Sequence, residues 1–248
     1  MPYIENPKTQ KSGIYSAIPQ KGTCPIGCDD CFFQSGRSYL EPLEKNLPNL
    51  PDPSTHQFNV IRVNDGNDSN INREIVIENT NIYSMKFFNT SIPKNLQGFI
   101  NPVVLTVNPH KMTNHDFHKV QHPFPKNLMY VRVRVNTWNL QLVDTIIDYY
   151  TKNTDDINIP VILTFMAYYG TADTIPENHT KNYIFRTRTI NSYNAITTKA
   201  WRKIMKRYED NKWVHSCGKI EGEIGDTKCR FCGNCLREYF ATIERLKT

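Results

Sequence analysis

The sequence has no long apolar run, no leader-like start and no internal repeat, and each lack excludes something. Its longest apolar stretch, residues 159–169, falls far short of the roughly 20 residues that a membrane-spanning helix needs. The opening MPYIENPKTQ is polar and lacks the basic-then-apolar order of a secretion signal. No self-similarity at solenoid length is visible, which excludes a stacked-repeat architecture. The expectation is a soluble, cytoplasmic protein without a membrane partner. At 248 residues and 39% hydrophobic content, it can bury one large domain, or one domain and a small appendage.

Charge and cysteine are unevenly placed. Residues 1–178 carry 15 Lys/Arg against 17 Asp/Glu, whereas residues 179–248 carry 15 against 7. The whole basic surplus therefore lies in the last quarter of the chain, which points to a polyanionic or acidic partner there. The seven cysteines form one group of three (Cys24, Cys28, Cys31) and one of four (Cys217, Cys229, Cys232, Cys235). An odd total in tight clusters argues against a disulfide framework and for metal ligation.

Strands are expected at residues 13–18, 59–63, 83–89, 103–107, 130–136 and 159–166, with helix-length connections between them. This alternation implies an α/β architecture with parallel strands. Pro42, Pro48, Pro51 and Pro53 leave room for only a short helix in the first connection. A helix is expected over residues 140–150, where Leu140, Val143, Ile147 and Tyr150 share a face. In the strand at 130–136, Val131, Val133 and Val135 point one way while Arg132, Arg134 and Asn136 point the other. Two guanidiniums and an amide on one face suit a polar cavity that receives an anionic ligand; an edge strand with a solvated face is the alternative. Residues 198–208 form an amphipathic helix, with Trp201, Ile204, Met205 and Tyr208 on one side and five Lys/Arg on the other. A boundary near residue 190 divides a core (1–190) from a basic, cysteine-rich extension (191–248).

The first cysteine group reads Gly22-Thr23-Cys24-Pro25-Ile26-Gly27-Cys28-Asp29-Asp30-Cys31-Phe32-Phe33. Three thiolates within eight residues, on a loop after a strand, reach three corners of an iron–sulfur cube and leave one iron without a protein ligand. Open coordination positions are where metal sites do chemistry. Zinc is the competing assignment, although structural zinc usually takes four ligands in Cys pairs.

This C-x3-C-x2-C arrangement after the first strand resembles the radical S-adenosylmethionine superfamily. The resemblance implies a partial parallel (β/α)6 barrel with a small C-terminal cysteine-rich extension, and a catalytic [4Fe–4S] cluster on Cys24, Cys28 and Cys31. It also implies that S-adenosylmethionine chelates the open iron and is cleaved reductively to a 5′-deoxyadenosyl radical, with an electron donor such as flavodoxin or ferredoxin. The cofactor would carry the hard chemistry while the protein positions it. In the family an aromatic residue commonly precedes the third cysteine; Asp30 stands there, so Phe32 or Phe33 is the expected adenine neighbour. The segment that meets the methionine ammonium corresponds to Asn64, Asp65 and Gly66, with Asp68 as a further acceptor, although Asn-Asp-Gly-Asn is also a good turn sequence. Arg134 and Asn136 correspond to carboxylate and ribose contacts, and backbone near Met166 to the adenine contact. No catalytic acid or base can be named.

In the second group, Cys217 precedes Cys229, Cys232 and Cys235 by eleven intervening residues. Four thiolates close either a second [4Fe–4S] cluster or a zinc site. His110, His115, His118 and His122 crowd together, but Pro123 and Pro125 end any helix there and only Asp116 joins them, so solvated histidines are expected. The basic extension allows nucleic acid or an acidic protein as partner, and leaves nucleotide, nucleic-acid and peptide or protein substrates open. A different class also remains open, a non-catalytic nucleic-acid-binding protein whose C-terminal cysteines form a zinc ribbon.

Overall fold

The computed structural model describes residues 2–28, 31, 33, 38–57, 59–108, 120–153, 157–169, 175–187, 192–218 and 229–248. Phe32, Asp29, Asp30, His110, His115, Asp116 and His118 lie outside these residues.

Six strands form where the alternation of apolar residues placed them: β1 (Ile14–Ala17), β2 (Val60–Val63), β3 (Lys86–Thr90), β4 (Val103–Val107), β5 (Leu128–Val135) and β6 (Val161–Phe165). A further strand in the same sheet, β10 (Val214–Ser216), pairs parallel with β6 and makes seven, one more than expected. All neighbours are parallel and the order is β1-β2-β3-β4-β5-β6-β10, sequential along the chain. Sequential parallel strands joined by right-handed crossovers carry their helices on one face and curl toward a barrel. The architecture is an α/β partial barrel.

The helices follow local chemistry. The first connection holds only a 3-10 turn at Glu44–Asn46 and the four-residue α1 (Pro53–His56). α2 (Arg73–Asn79) follows β2, and α3 (Leu140–Thr151) follows β5, burying Val143, Ile146, Ile147 and Tyr150. A small antiparallel sheet, β7 (Tyr168–Tyr169), β8 (Tyr183–Arg186) and β9 (Tyr193–Ile196), comes next, in the order β7-β9-β8. α4 (Thr198–Lys206) begins at Thr197, whose hydroxyl accepts from the Ala200 amide at 3.2 Å, a cap that contributes about 1 kcal/mol. Last come the short α5 (Cys229–Cys232) and α6 (Asn234–Lys247).

The sheet has two different faces. On the convex side Ile61, Val63, Phe88, Leu105, Val131, Val133, Val135 and Leu163 pack with Val76, Val143, Ile147, Trp201 and Ile204 from the helices. On the concave side a lower layer of Val60, Phe87, Val104, Tyr130 and Ile162 is covered by Leu236, Tyr239 and Ile243 of α6. Arg245 fastens that helix, donating from Nε to the Lys126 carbonyl at 2.8 Å and from Nη2 to that of Leu128 at 2.6 Å. The segment expected as an extension therefore supplies both the seventh strand and the plug of the half-barrel.

Candidate metal and cofactor site

The first cysteine loop leaves the C-terminal end of β1, the edge at which parallel barrels carry their functional loops. Gly27, between Cys24 and Cys28, has φ 61, a left-handed conformation that glycine adopts without a Cβ penalty. The Cys31 amide then donates to the Cys28 carbonyl at 3.1 Å, turning the third cysteine back toward the first two. Burial pushes the Cys24 thiol up to about 11, and the charges of Asp68, Cys28 and Cys31 act in the same direction. Cys24, Cys28 and Cys31 thus share one neighbourhood, and none of the seven cysteines is in a disulfide.

The loop after β2 lies against this one. Asn67 donates to the Gly22 carbonyl at 3.3 Å, and Gln20 Nε2 donates to the Asp68 carbonyl at 3.0 Å. The Phe33 ring lies directly on Gly66, where a Cβ would sit 2.5 Å from a ring carbon. Asp68 is fully engaged, accepting from Thr90, Asn70 and Ser91. Asp65 turns inward: one carboxylate oxygen accepts from Arg62, Ser16 and Asn6. Burial alone would push the Asp65 carboxyl up, but Arg62, then Arg132 and the hydrogen bonds, hold it below the usual carboxylate range.

Among the described residues, the buried polar atoms without a hydrogen-bond partner include, at this edge, Gln20 Oε1 after β1, Asn64 Oδ1 after β2 and Arg134 Nη1 on β5. Two are acceptors and one is a cationic donor. Buried polar atoms are rarely left unpaired, and each asks for a ligand group of opposite kind. An amino-acid moiety, with its ammonium and carboxylate, meets both demands. Asn136 instead closes the turn after β5, its Oδ1 accepting from the Trp138 amide at 3.0 Å. The Met166 amide donates to the Val135 carbonyl at 3.0 Å. Beyond them Trp138 packs with Tyr168, His179 and Tyr183, at centroid distances of 5.3, 5.6 and 5.8 Å. His122, the described member of the histidine group, is exposed and stacks on Phe124.

The second cysteine group lies on the concave face. The Cys217 amide extends the β6–β10 ladder by donating to Leu163 at 2.8 Å, and the Cys229 amide donates to Lys8 at 2.9 Å. Asn234, at the start of α6, donates to the Ser216 carbonyl at 2.9 Å and ties that helix to β10. The Cys217 and Cys232 thiols are hydrogen-bonded, which draws Cys232 down to about 7. Burial pushes Cys229 up to about 11 despite the Arg62 guanidinium, with Cys235 and Cys217 adding to the rise. The Cys235 sulfur stands 3.1 Å from the Tyr130 hydroxyl. Cys217, Cys229 and Cys235 therefore lie beside a polar layer that contains Arg62, Arg132 and Tyr130, while Cys232 meets Cys217.

Among the described residues, no three His, Cys, Asp or Glu side chains are already drawn round one point as a single ion would require. The donor chemistry nevertheless fits. Each group offers thiols alone, in mutual contact or electrostatic reach, and the terminal thiolates of an iron–sulfur cube attach to different irons rather than to one centre.

Tyr130, Arg62, Asn89 and Ser16 were not singled out in the sequence. The alternation in β5, carried two residues toward the N-terminus, puts Tyr130 on the face of Arg132 and Arg134. The lone arginine in Val60-Ile61-Arg62-Val63 is the same signal in a shorter strand.

No family model matches the chain. No curated protein matches it. Among solved structures, a spore photoproduct lyase variant with bound AdoMet and a dinucleoside spore photoproduct is similar, at 9% identity and a TM-score of 0.48, covering 82% of this chain and 75% of that one.

Proposed function

We propose that the chain is a radical S-adenosylmethionine enzyme. The observation that carries this reading is the placement of Cys24, Cys28 and Cys31 on the loop leaving the first strand of a sequential parallel sheet. Cys24, Cys28 and Cys31 hold a [4Fe–4S] cluster by three corners. Gln20 and Asn64 offer amide oxygens to the methionine ammonium, Arg134 offers a guanidinium to its carboxylate, and Phe33 fixes the loop by lying on Gly66. When bound, cluster and S-adenosylmethionine together supply a 5′-deoxyadenosyl radical that takes a hydrogen atom from the substrate, with electrons from a donor such as flavodoxin or ferredoxin. Residues 1–190 carry this chemistry, and residues 191–248 carry a second centre on Cys217, Cys229, Cys232 and Cys235, a [4Fe–4S] cluster or zinc. The basic charge of that segment suits a nucleotide, nucleic-acid or acidic protein substrate. No helix among the described residues is long and apolar enough to cross a membrane, in keeping with a cytoplasmic setting.

The test is anaerobic reconstitution followed by dithionite and S-adenosylmethionine. The expected product is 5′-deoxyadenosine, and Cys28→Ala should abolish it. A colourless protein holding only zinc would favour the non-catalytic nucleic-acid-binding alternative, and undiminished product from Cys28→Ala would reject the assignment of the cluster to this loop.

A further inference from the structure

α4 carries its charges in an order that works against the helix. Lys199, Arg202, Lys203 and Lys206 stand three and four residues apart, on the side opposite the buried Trp201 and Ile204, and all four are exposed. No Asp or Glu occurs between Thr198 and Lys206. Like charges at these spacings repel and destabilise a helix. Lys199 is unfavourable a second time, because a cation in the first turn faces the positive end of the helix dipole. Arg207, just past the helix, pairs with Asp144, whereas Lys199, Lys203 and Lys206 have no ion pair among the described residues. Folding alone gives no reason for this stripe. A polyanion laid along it relieves both repulsions.

The stripe leads to aromatic rings. At the head of α4 the Thr197 amide donates to the Asn182 carbonyl at 2.8 Å, which brings the segment carrying the exposed Lys181 to the first turn. Tyr183, the residue after Asn182, packs on Trp138 together with Tyr168 and His179. In the small sheet Asn194 pairs with Tyr168 on one side and with Phe185 on the other, so these three share the face that carries Tyr183. The Phe185 residue is 58% exposed, on the edge strand β8. Cations spaced along a line beside an open aromatic ring hold single-stranded nucleic acid, with phosphates on the cations and bases stacked on the ring. An acidic peptide would use the cations and leave the ring idle.

We propose that α4 and the small sheet form a docking surface for single-stranded nucleic acid, with phosphates on Lys181, Lys199, Lys203 and Lys206 and a base stacked on Phe185. Docking is independent of the cluster. Only the further step, that the docked strand is the substrate, rests on the function proposed above.

The experiment follows the fluorescence anisotropy of labelled single strands of RNA and of DNA, each about 20 nucleotides so as to exceed the surface. It uses the full chain without S-adenosylmethionine or reductant, so that docking and radical chemistry can fail separately. Affinity should fall with salt, with a log–log slope of about −3 for four phosphate contacts. Lys199→Gln, Lys203→Gln and Lys206→Gln together should weaken binding on the order of 10-fold or more and shrink the slope by about 2. Urea unfolding of that variant should match the parent or move to higher urea, because the repulsion is gone. Phe185→Ala should weaken binding on the order of 10-fold and leave the slope unchanged. Lys45→Gln, Lys94→Gln and Lys126→Gln together remove the same charge from exposed positions elsewhere and should bind like the parent. Equal losses in the two triple variants would reduce the effect to net charge and overturn the proposal. Absence of binding to both strands at low salt would overturn it too, as would displacement by polyglutamate as effective as by unlabelled strand. Undiminished binding by Phe185→Ala would remove the stacking contact and with it the single-strand assignment.

Discussion

Arg62 and Asp65 form a buried ion pair at the end of β2, with Ser16 and Asn6 donating to the same carboxylate oxygen. The pair joins β1, β2 and the N-terminal segment at the floor of the candidate site. Removing one partner strands the other. Asp65→Asn should cost about 3–5 kcal/mol in urea unfolding, and adding Arg62→Met should restore part of it. The pair also sets an acid limit. The Asp65 carboxyl is held below its unfolded value, so its contribution is fully present above the ordinary carboxylate pKa of about 4 and is lost as pH falls through the lower folded value. Stability measured from pH 6 downward should show this loss in the wild type and not in Asp65→Asn; parallel curves would mean that the pair does not govern acid stability.

A second prediction concerns the contact between the first two loops. The Phe33 ring fills the space that a Gly66 Cβ would take, at 2.5 Å. Gly66→Ala should therefore push Phe33, and the cysteine loop with it, out of place at a cost of about 1–3 kcal/mol. Iron content after reconstitution should fall, and Phe33→Ala in the same chain should bring it back. Full iron in Gly66→Ala would show that the two loops are not coupled.

Arg134 supplies the third. Its Nη1 is buried without a partner on the concave side of β5, where Arg134 pairs in register with Thr164. A charge-assisted bond to a ligand carboxylate contributes roughly 1.5–3 kcal/mol. Arg134→Leu should weaken S-adenosylmethionine binding by about 10-fold or more in equilibrium titration while iron content stays at the wild-type level. Normal affinity in that variant would remove Arg134 from the binding site.

What the sequence revealed, and what it concealed, follows from the length of each signal. β5 is eight residues long and alternates so regularly that the convex valines and concave arginines could be read directly. α3 spans twelve residues, and the five of β6 sit within the longest apolar stretch of the chain. β10 is three residues, Val214–Ser216, too short for any period to show, and its place beside β6 is decided by tertiary pairing. β7 to β9 are two to four residues each, and of them only Ile196 is buried in the main core with Tyr183 packed against it, so their pattern is equally faint. α6 was obscured differently: its stripe of Leu236, Tyr239 and Ile243 follows directly on a cysteine motif that drew the reading toward metal ligation alone. Spacing identified both cysteine groups. It could not show that the second group turns into the half-barrel, because that depends on α6 covering Val60, Phe87 and Val104, residues more than 130 positions away.

The position of α6 in the chain has a consequence for biosynthesis. It is translated after every strand of the sheet, so while a nascent chain is being made the layer formed by Val60, Phe87, Val104 and Ile162 has nothing to cover it. During that interval the inner surface is sticky. Insertion of the helix ends that exposure. Folding of this protein thus has a natural order, with the inner face of the half-barrel sealed last by α6.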